Sequence, residues 1–184
     1  LRSWVEMDRK VALRILEFFL QRLPVAGALA QPLLSLHFEV VPDHLPERLR
    51  AVLARFPAGV LQLEVGVQSF NTAVQQRISR RQNNATTEAN LRWLREHTQA
   101  HLHVDLVFGL PGETLQSFAD GFDRLLAMGV HEIQLGILKR LRGAPIARHT
   151  EAHGMQYQAV PPYSVLQTAV LAGACVQRFS RFAR

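Results

Sequence analysis

The 184 residues are 48% hydrophobic and 20% charged, with a mean hydropathy close to zero, which is enough apolar material for one packed core of ordinary domain size. The single cysteine, Cys175, excludes a disulfide framework and any site built from several thiolates of this chain. The longest apolar stretches, Val11 to Leu20 and Val165 to Val176, are interrupted by polar residues and fall short of the roughly 20 residues of a membrane span. A soluble chain with a cytoplasmic address is therefore expected.

The net charge of +6 could serve a polyanionic partner. Lys10 and Lys139 are the two lysines, however, and the arginines are spread along the chain rather than interleaved with aromatics as in single-strand binders. A solvated basic surface is the expected reading, with nucleic acid not a partner. The chain opens on Leu1 without a leader pattern, and a segment of a larger protein is expected.

Helices and strands alternate along the sequence. From Asp8 to Leu23 the apolar positions Leu13, Leu16 and Leu20 fall at helical spacing, closed by Pro24 and Gly27. Residues 34–41 form a short apolar run between Pro32 and Pro42 and read as a strand. After Pro46, which suits the start of a helix, Leu49, Val52, Leu53 and Phe56 make an apolar stripe. A second strand is expected over 60–67, helical segments near Thr72 to Ile78 and Thr87 to His97, and a third strand over 101–108. An amphipathic helix from Leu115 ends at Gly129, and 130–138 is the fourth strand. Strands separated by helical crossovers imply right-handed connections and a parallel sheet. The expected division is a partial barrel over 1–163 and a C-terminal helix over 164–184, with no internal repeat.

The faces of these strands differ. Leu61, Leu63, Val65 and Val67 alternate with Gln62, Glu64, Gly66 and Gln68, and Leu102, Val104, Leu106 and Phe108 alternate with His101, His103 and Asp105. Strands covered by helices on both faces are apolar throughout. One-sided strands instead suggest a wide, incomplete barrel with outer helices and a polar lumen holding a polar ligand, the alternative being a solvated sheet face. The expected class is thus α/β, a partial TIM-like (βα) barrel of about four parallel strands. His101 and His103 share a face with Asp105 and could chelate a metal, but no further strong ligand is placed by the sequence, and hydrogen bonding in the lumen is the expected role.

Glu39 in "LHFEVVP", the run "LEVGVQSFN" from Leu63, "RISRRQN" from Arg77 and "HVDLVFGLPGET" from His103 together resemble radical S-adenosylmethionine (radical SAM) enzymes. They are similar to oxygen-independent coproporphyrinogen III oxidases and to cobalamin-domain iron-sulfur oxidoreductases of that superfamily. The resemblance spans about Leu34 to Thr168. It implies that Glu39, Gln68, Arg80 and Asp105 contact the nucleoside or methionine part of S-adenosylmethionine, Arg80 as the charge partner of the methionine carboxylate. The turn opened by Gly109 would let backbone groups approach the adenine. The resemblance also implies a 4Fe-4S cluster in the parent protein, ligated by a CxxxCxxC motif that this chain lacks, since cluster irons need thiolates. A cobalamin-binding domain upstream is compatible with the resemblance, and the substrate is unknown. The parent would generate a 5′-deoxyadenosyl radical for hydrogen abstraction, and the chain by itself is expected to be inactive. Two other classes stay open: a different TIM-barrel lyase, which would need a Schiff-base lysine or metal triad at the strand ends, where Lys139 is the nearest lysine, and a non-enzymatic adaptor or nucleic-acid-binding module resting on the arginines.

Overall fold

The computed structural model describes residues 9–23 and 34–183. Pro24, Gly27 and Pro32, read above as punctuation, lie outside the described residues, as does Asp8. In chain order the elements are α1 (Arg9–Leu20), β1 (Leu36–Val40), α2 (Glu47–Leu53), β2 (Leu61–Gln68), α3 (Thr72–Arg77), α4 (Asn84–His97), β3 (His101–Phe108), α5 (Leu115–Ala127), β4 (Glu132–Ile137), a 3-10 turn (Pro145–His149), β5 (Gln156–Tyr157), β6 (Val165–Gln167) and α6 (Gly173–Phe182). The first four strands form one sheet in the order β1-β2-β3-β4. All four are parallel. β1 and β2 pair in register from Leu36 opposite Leu61 to Val40 opposite Val65. β5 and β6 form a separate antiparallel pair. No described helix is long and apolar enough to cross a membrane.

The chain divides into two compact units, Leu1–Val67 with Gln82–Val104 and Leu126–Ile133, and Gln68–Arg81 with Asp105–Leu125 and Gln134–Arg184. In the first unit, the odd positions of β2 and the even positions of β3 supply Leu61, Leu63, Val65, Leu102 and Val104, each at most 2% exposed. Helices α2 and α4 contribute Val52, Leu53, Leu91 and Leu94 to the same core, with Phe56 just beyond α2, so each amphipathic helix buries its stripe. The N-cap Asn83 accepts from Thr86 N and starts α4. Buried Asn90 joins three segments of this unit: its amide donates to the Pro42 carbonyl at 2.9 Å and its oxygen accepts from Arg50 Nη2 at 2.5 Å.

The second unit has an aromatic core. Phe108, at the end of β3, stacks on Phe179 of α6 with ring centroids 3.9 Å apart, and Phe118 of α5 meets both rings edge-on. The helix expected over 164–184 begins only at Gly173, because Val165 is drawn into β-structure. Its amide donates to the Leu138 carbonyl at 2.8 Å, and Leu138 N in turn donates to Phe108 O at 2.9 Å. An apolar run without periodicity cannot show such long-range pairing.

Candidate functional site

In open parallel sheets, ligands bind beyond the carboxyl ends of the strands. In the second unit those ends include the segment following β2 and the segment following β3. Gln68 closes β2 with φ of +70°, a left-handed conformation that a non-glycine residue adopts only when its surroundings hold it there. The next residue, Ser69, is 2% exposed. Its hydroxyl donates to Glu113 Oε1 at 2.5 Å and accepts from Asn71 N at 3.0 Å. Asn71 caps α3 by accepting from Ala73 N and Val74 N, while its amide donates to Ser117 Oγ at 2.9 Å. Ser117 Oγ lies 3.4 Å from Glu113 Oε1. Four side chains thus tie the loop after β2 to the loop after β3.

Glu113 is the unusual member. It is 1% exposed, and its second oxygen, Oε2, has no hydrogen-bond partner among the described residues. Burial raises its pKa from 4.5 to about 7, although the hydroxyls of Ser69 and Ser117 pull the other way. A carboxyl that would charge near neutrality is therefore built into the hydrogen-bonded link between the two loops.

Arg80 is fixed through the same network. Buried Gln75 donates its amide to Ser69 O at 2.7 Å, and its own carbonyl accepts from Arg80 N at 2.8 Å. Asp105 is half-buried on β3, on the face opposite Leu106 and Phe108. Gly109 follows with φ of +89°, and a Cβ there would meet Val165 Cγ1 at 2.5 Å. The glycine is thus required by both its turn and its packing. The second unit therefore gathers Gln68, Arg80, Asp105 and Gly109 from the expected set. Glu39 belongs to the first unit, exposed on β1 and in register with Glu64. Two like charges opposite one another are unfavourable, and His37 Nε2 offsets this by bonding Glu64 at 2.9 Å.

The histidines of β3 have other partners. His101 Nε2 and His103 Nδ1 each lie 3.4 Å from Glu132, and His101 stacks on His131. His131 has its pKa lowered by burial and by the nearby Arg95 and His101. No group of three His, Cys, Asp or Glu among the described residues could hold a metal ion. Cys175 is a free, partly buried thiol on α6, so this chain's donor set does not fit a 4Fe-4S cluster. Gln68, Arg80 and Asp105 do fit the polar groups of S-adenosylmethionine: an amide, a guanidinium and a carboxylate complement hydroxyls, a carboxylate and an amine. Sequence reasoning missed Ser69, Gln75, Glu113 and Ser117. For Ser69 and Glu113 the signal was their position inside the runs LEVGVQSFN and HVDLVFGLPGET already singled out, since polar residues in the turns after strands are the ones a sheet presents to ligands; Gln75 and Ser117 lie outside those runs.

Four parallel strands in one sheet with helices between them define an α/β fold. The family model of the Radical SAM superfamily matches residues 7–125, and the chain belongs to that superfamily. It is 30% identical over 131 residues to the oxygen-independent coproporphyrinogen III oxidase of Paracoccus denitrificans, covering 71% of this chain and 26% of the relative. It is 29% identical over 105 residues to anaerobilin synthase of Escherichia coli O157:H7, covering 57% of this chain and 23% of the relative. Its fold matches Escherichia coli coproporphyrinogen III oxidase with a TM-score of 0.64 at 19% identity, over 98% of this chain and 38% of that one. The radical S-adenosylmethionine methyltransferase TsrM of Kitasatospora setae matches with a TM-score of 0.61 at 18% identity, over 84% of this chain and 31% of that one. The chain thus spans about a quarter of the length of the curated relatives.

Proposed function

We propose that this chain is the S-adenosylmethionine-contacting part of a cytoplasmic radical SAM enzyme acting on an unknown substrate. The observation that carries the reading is the turn after β2, where Gln68 stands in a left-handed conformation before Ser69 and Gln75 links the Ser69 carbonyl to the Arg80 amide, with Asp105 on β3 and Gly109 just after it in the same unit. S-adenosylmethionine, when bound and reductively cleaved in such enzymes, supplies a 5′-deoxyadenosyl radical that abstracts a hydrogen atom. Asp105 would accept hydrogen bonds from the ribose hydroxyls, with Gln68 beside it on the left-handed turn. Arg80 would pair with the methionine carboxylate by charge-assisted hydrogen bonds. The backbone of the turn at Gly109 would lie along the adenine. A cobalamin-binding companion domain has as its support the fold shared with TsrM, whose structure was solved with cobalamin and a 4Fe-4S cluster bound.

Titration of the chain with S-adenosylmethionine tests the reading: saturable binding supports it and no binding contradicts it. A separate expectation concerns iron. With one cysteine, anaerobic reconstitution of this chain with iron and sulfide gives no stable cluster absorbance and, after reduction with S-adenosylmethionine present, no 5′-deoxyadenosine. Stoichiometric cluster formation by these 184 residues would overturn the division of labour proposed here.

A further inference from the structure

The second unit collects four basic side chains around Gly112 to which the cofactor reading gives no role. Arg77, the last residue of α3, directs Nη1 toward the Pro111 carbonyl at 3.4 Å. It lies against Gly112, where an added Cβ would be 2.6 Å from Nη1 and 3.4 Å from Cε1 of His153. Gly112, with φ of +74°, therefore leaves room for both side chains to converge. Arg148, in the 3-10 turn, donates Nη2 to the Arg77 carbonyl at 3.1 Å and to Ser79 Oγ at 2.7 Å. Its Nε donates to His149 Nε2 at 3.0 Å, and the rings of His149 and His153 are 5.9 Å apart. Ser79 holds its hydroxyl there from φ of +60°, a second strained non-glycine residue in this unit.

None of these four basic side chains has a carboxylate partner among the described residues. The ion pairs formed elsewhere involve Glu64, Glu88, Glu96 and Glu132. Glu151, the acidic residue of the same segment, is exposed and pairs with none of them. The cost shows in His153, whose pKa is lowered by burial, by Arg77 and by His149. A fold that holds two guanidiniums in place with carbonyl and hydroxyl acceptors, and brings two imidazoles beside them without a counter-charge, is preorganised for an anion.

We infer that Arg77, Arg148, His149 and His153 form an anion-binding subsite for the carboxylate or phosphate group of a small-molecule ligand. The subsite includes none of Glu39, Gln68, Arg80, Asp105 and Gly109, so it stands or falls separately from the cofactor reading. The test is a titration of the chain with inorganic phosphate and, separately, with acetate, at ionic strength held constant with sodium chloride. The readouts are the imidazole resonances of His149 and His153. The expected result is saturable movement of both, with a dissociation constant on the order of millimolar, and a rise in the apparent pKa of His153 when the anion is bound. A tighter phosphate arm assigns a phosphate group and a tighter or equal acetate arm assigns a carboxylate.

The Arg77→Gln and Arg148→Gln variants weaken binding by about tenfold or more, as loss of a charge-assisted pair requires. Arg148→Lys, which keeps the charge and the fold but loses the fork, weakens it less, and Arg95→Gln leaves it unchanged. Shifts that grow without saturating, that chloride reproduces, or that survive the Arg77 and Arg148 variants would overturn the inference. Displacement of phosphate by S-adenosylmethionine would also overturn it, by assigning the cations to the cofactor's own carboxylate.

Discussion

Replacing Phe108 with alanine lowers the stability of the chain by about 3 to 5 kcal/mol, the usual loss when a buried aromatic ring is removed and its space does not collapse. Phe108 is fully buried. It lies face to face with Phe179 at 3.9 Å and edge to face with Phe118 at 5.1 Å, while Phe118 and Phe179 also meet edge-on at 5.2 Å. Deleting the ring therefore removes two aromatic contacts as well as buried area, and each such contact adds about 0.5 to 1.5 kcal/mol beyond its area. For a chain of this size, thermal melting should fall by about 10 °C. Leu126→Ala, on a side chain that is 62% exposed, should move the midpoint little. Equal shifts for the two variants in a thermal melt would mean that α6 is not seated on the end of β3 by this cluster.

The second large effect is a pH dependence carried by Glu113. Its pKa is raised in the folded chain from 4.5 to about 7. The neutral form is therefore favoured by folding, and the stabilisation is fully present below pH 4.5. It is lost progressively as pH rises between 4.5 and about 7, because in that window the unfolded chain releases the proton and the folded chain retains it. The separation of the two pKa values corresponds to about 3 kcal/mol. Glu113→Gln keeps the shape and a hydrogen-bonding group for Ser69 but cannot ionise. Urea denaturation at a series of pH values should show the wild-type chain losing stability across this window and the variant losing about 3 kcal/mol less. Parallel curves for the two proteins would show that the Glu113 carboxyl is not held neutral by burial.

Much of the scaffold was legible because its strands carry a period of two. β1, β2 and β3 bury one face, and the expected bounds 34–41, 60–67 and 101–108 fall within two residues of the observed ones. The α3 and α4 segments were expected near Thr72 to Ile78 and Thr87 to His97, and α4 begins at Asn84, three residues before the expected start, where the Asn83 cap sets it. What was hidden depends on contacts distant in sequence. Val165 and Val176 sit in one apolar run, yet Val165 fills the space beside Gly109 while Val176 is a buried face residue of α6. Nothing local separates the two. Gly109 itself was read as an opening for adenine, and the packing of Val165 against it supplies a second reason for a glycine there.

The candidate site divides the same way. Glu39, Gln68, Arg80 and Asp105 were named by the resemblance, and Glu39, Gln68 and Asp105 also fall on the polar face of their strands. Glu113 was not, since a glutamate in a Gly-Pro turn defaults to the surface. Its burial follows from Ser69 and Ser117 closing over it, one from the loop after β2 and the other from α5. The basic group of Arg77, Arg148, His149 and His153 was equally invisible, because its members lie as many as 76 residues apart and meet through the turn at Gly112 and the contact of Arg148 with the Arg77 carbonyl.

The central claim is that the polar ends of β2 and β3 hold S-adenosylmethionine. It is tested most directly by calorimetric titration of the wild-type chain, Asp105→Ala and His44→Ala with that compound. Asp105→Ala should weaken binding by about 1 to 3 kcal/mol, the loss for leaving polar ligand groups unpaired. His44, in a turn of the first unit, should give binding indistinguishable from wild type. Equal losses in the two variants, unchanged binding in Asp105→Ala, or no saturable binding by the wild-type chain would contradict the account.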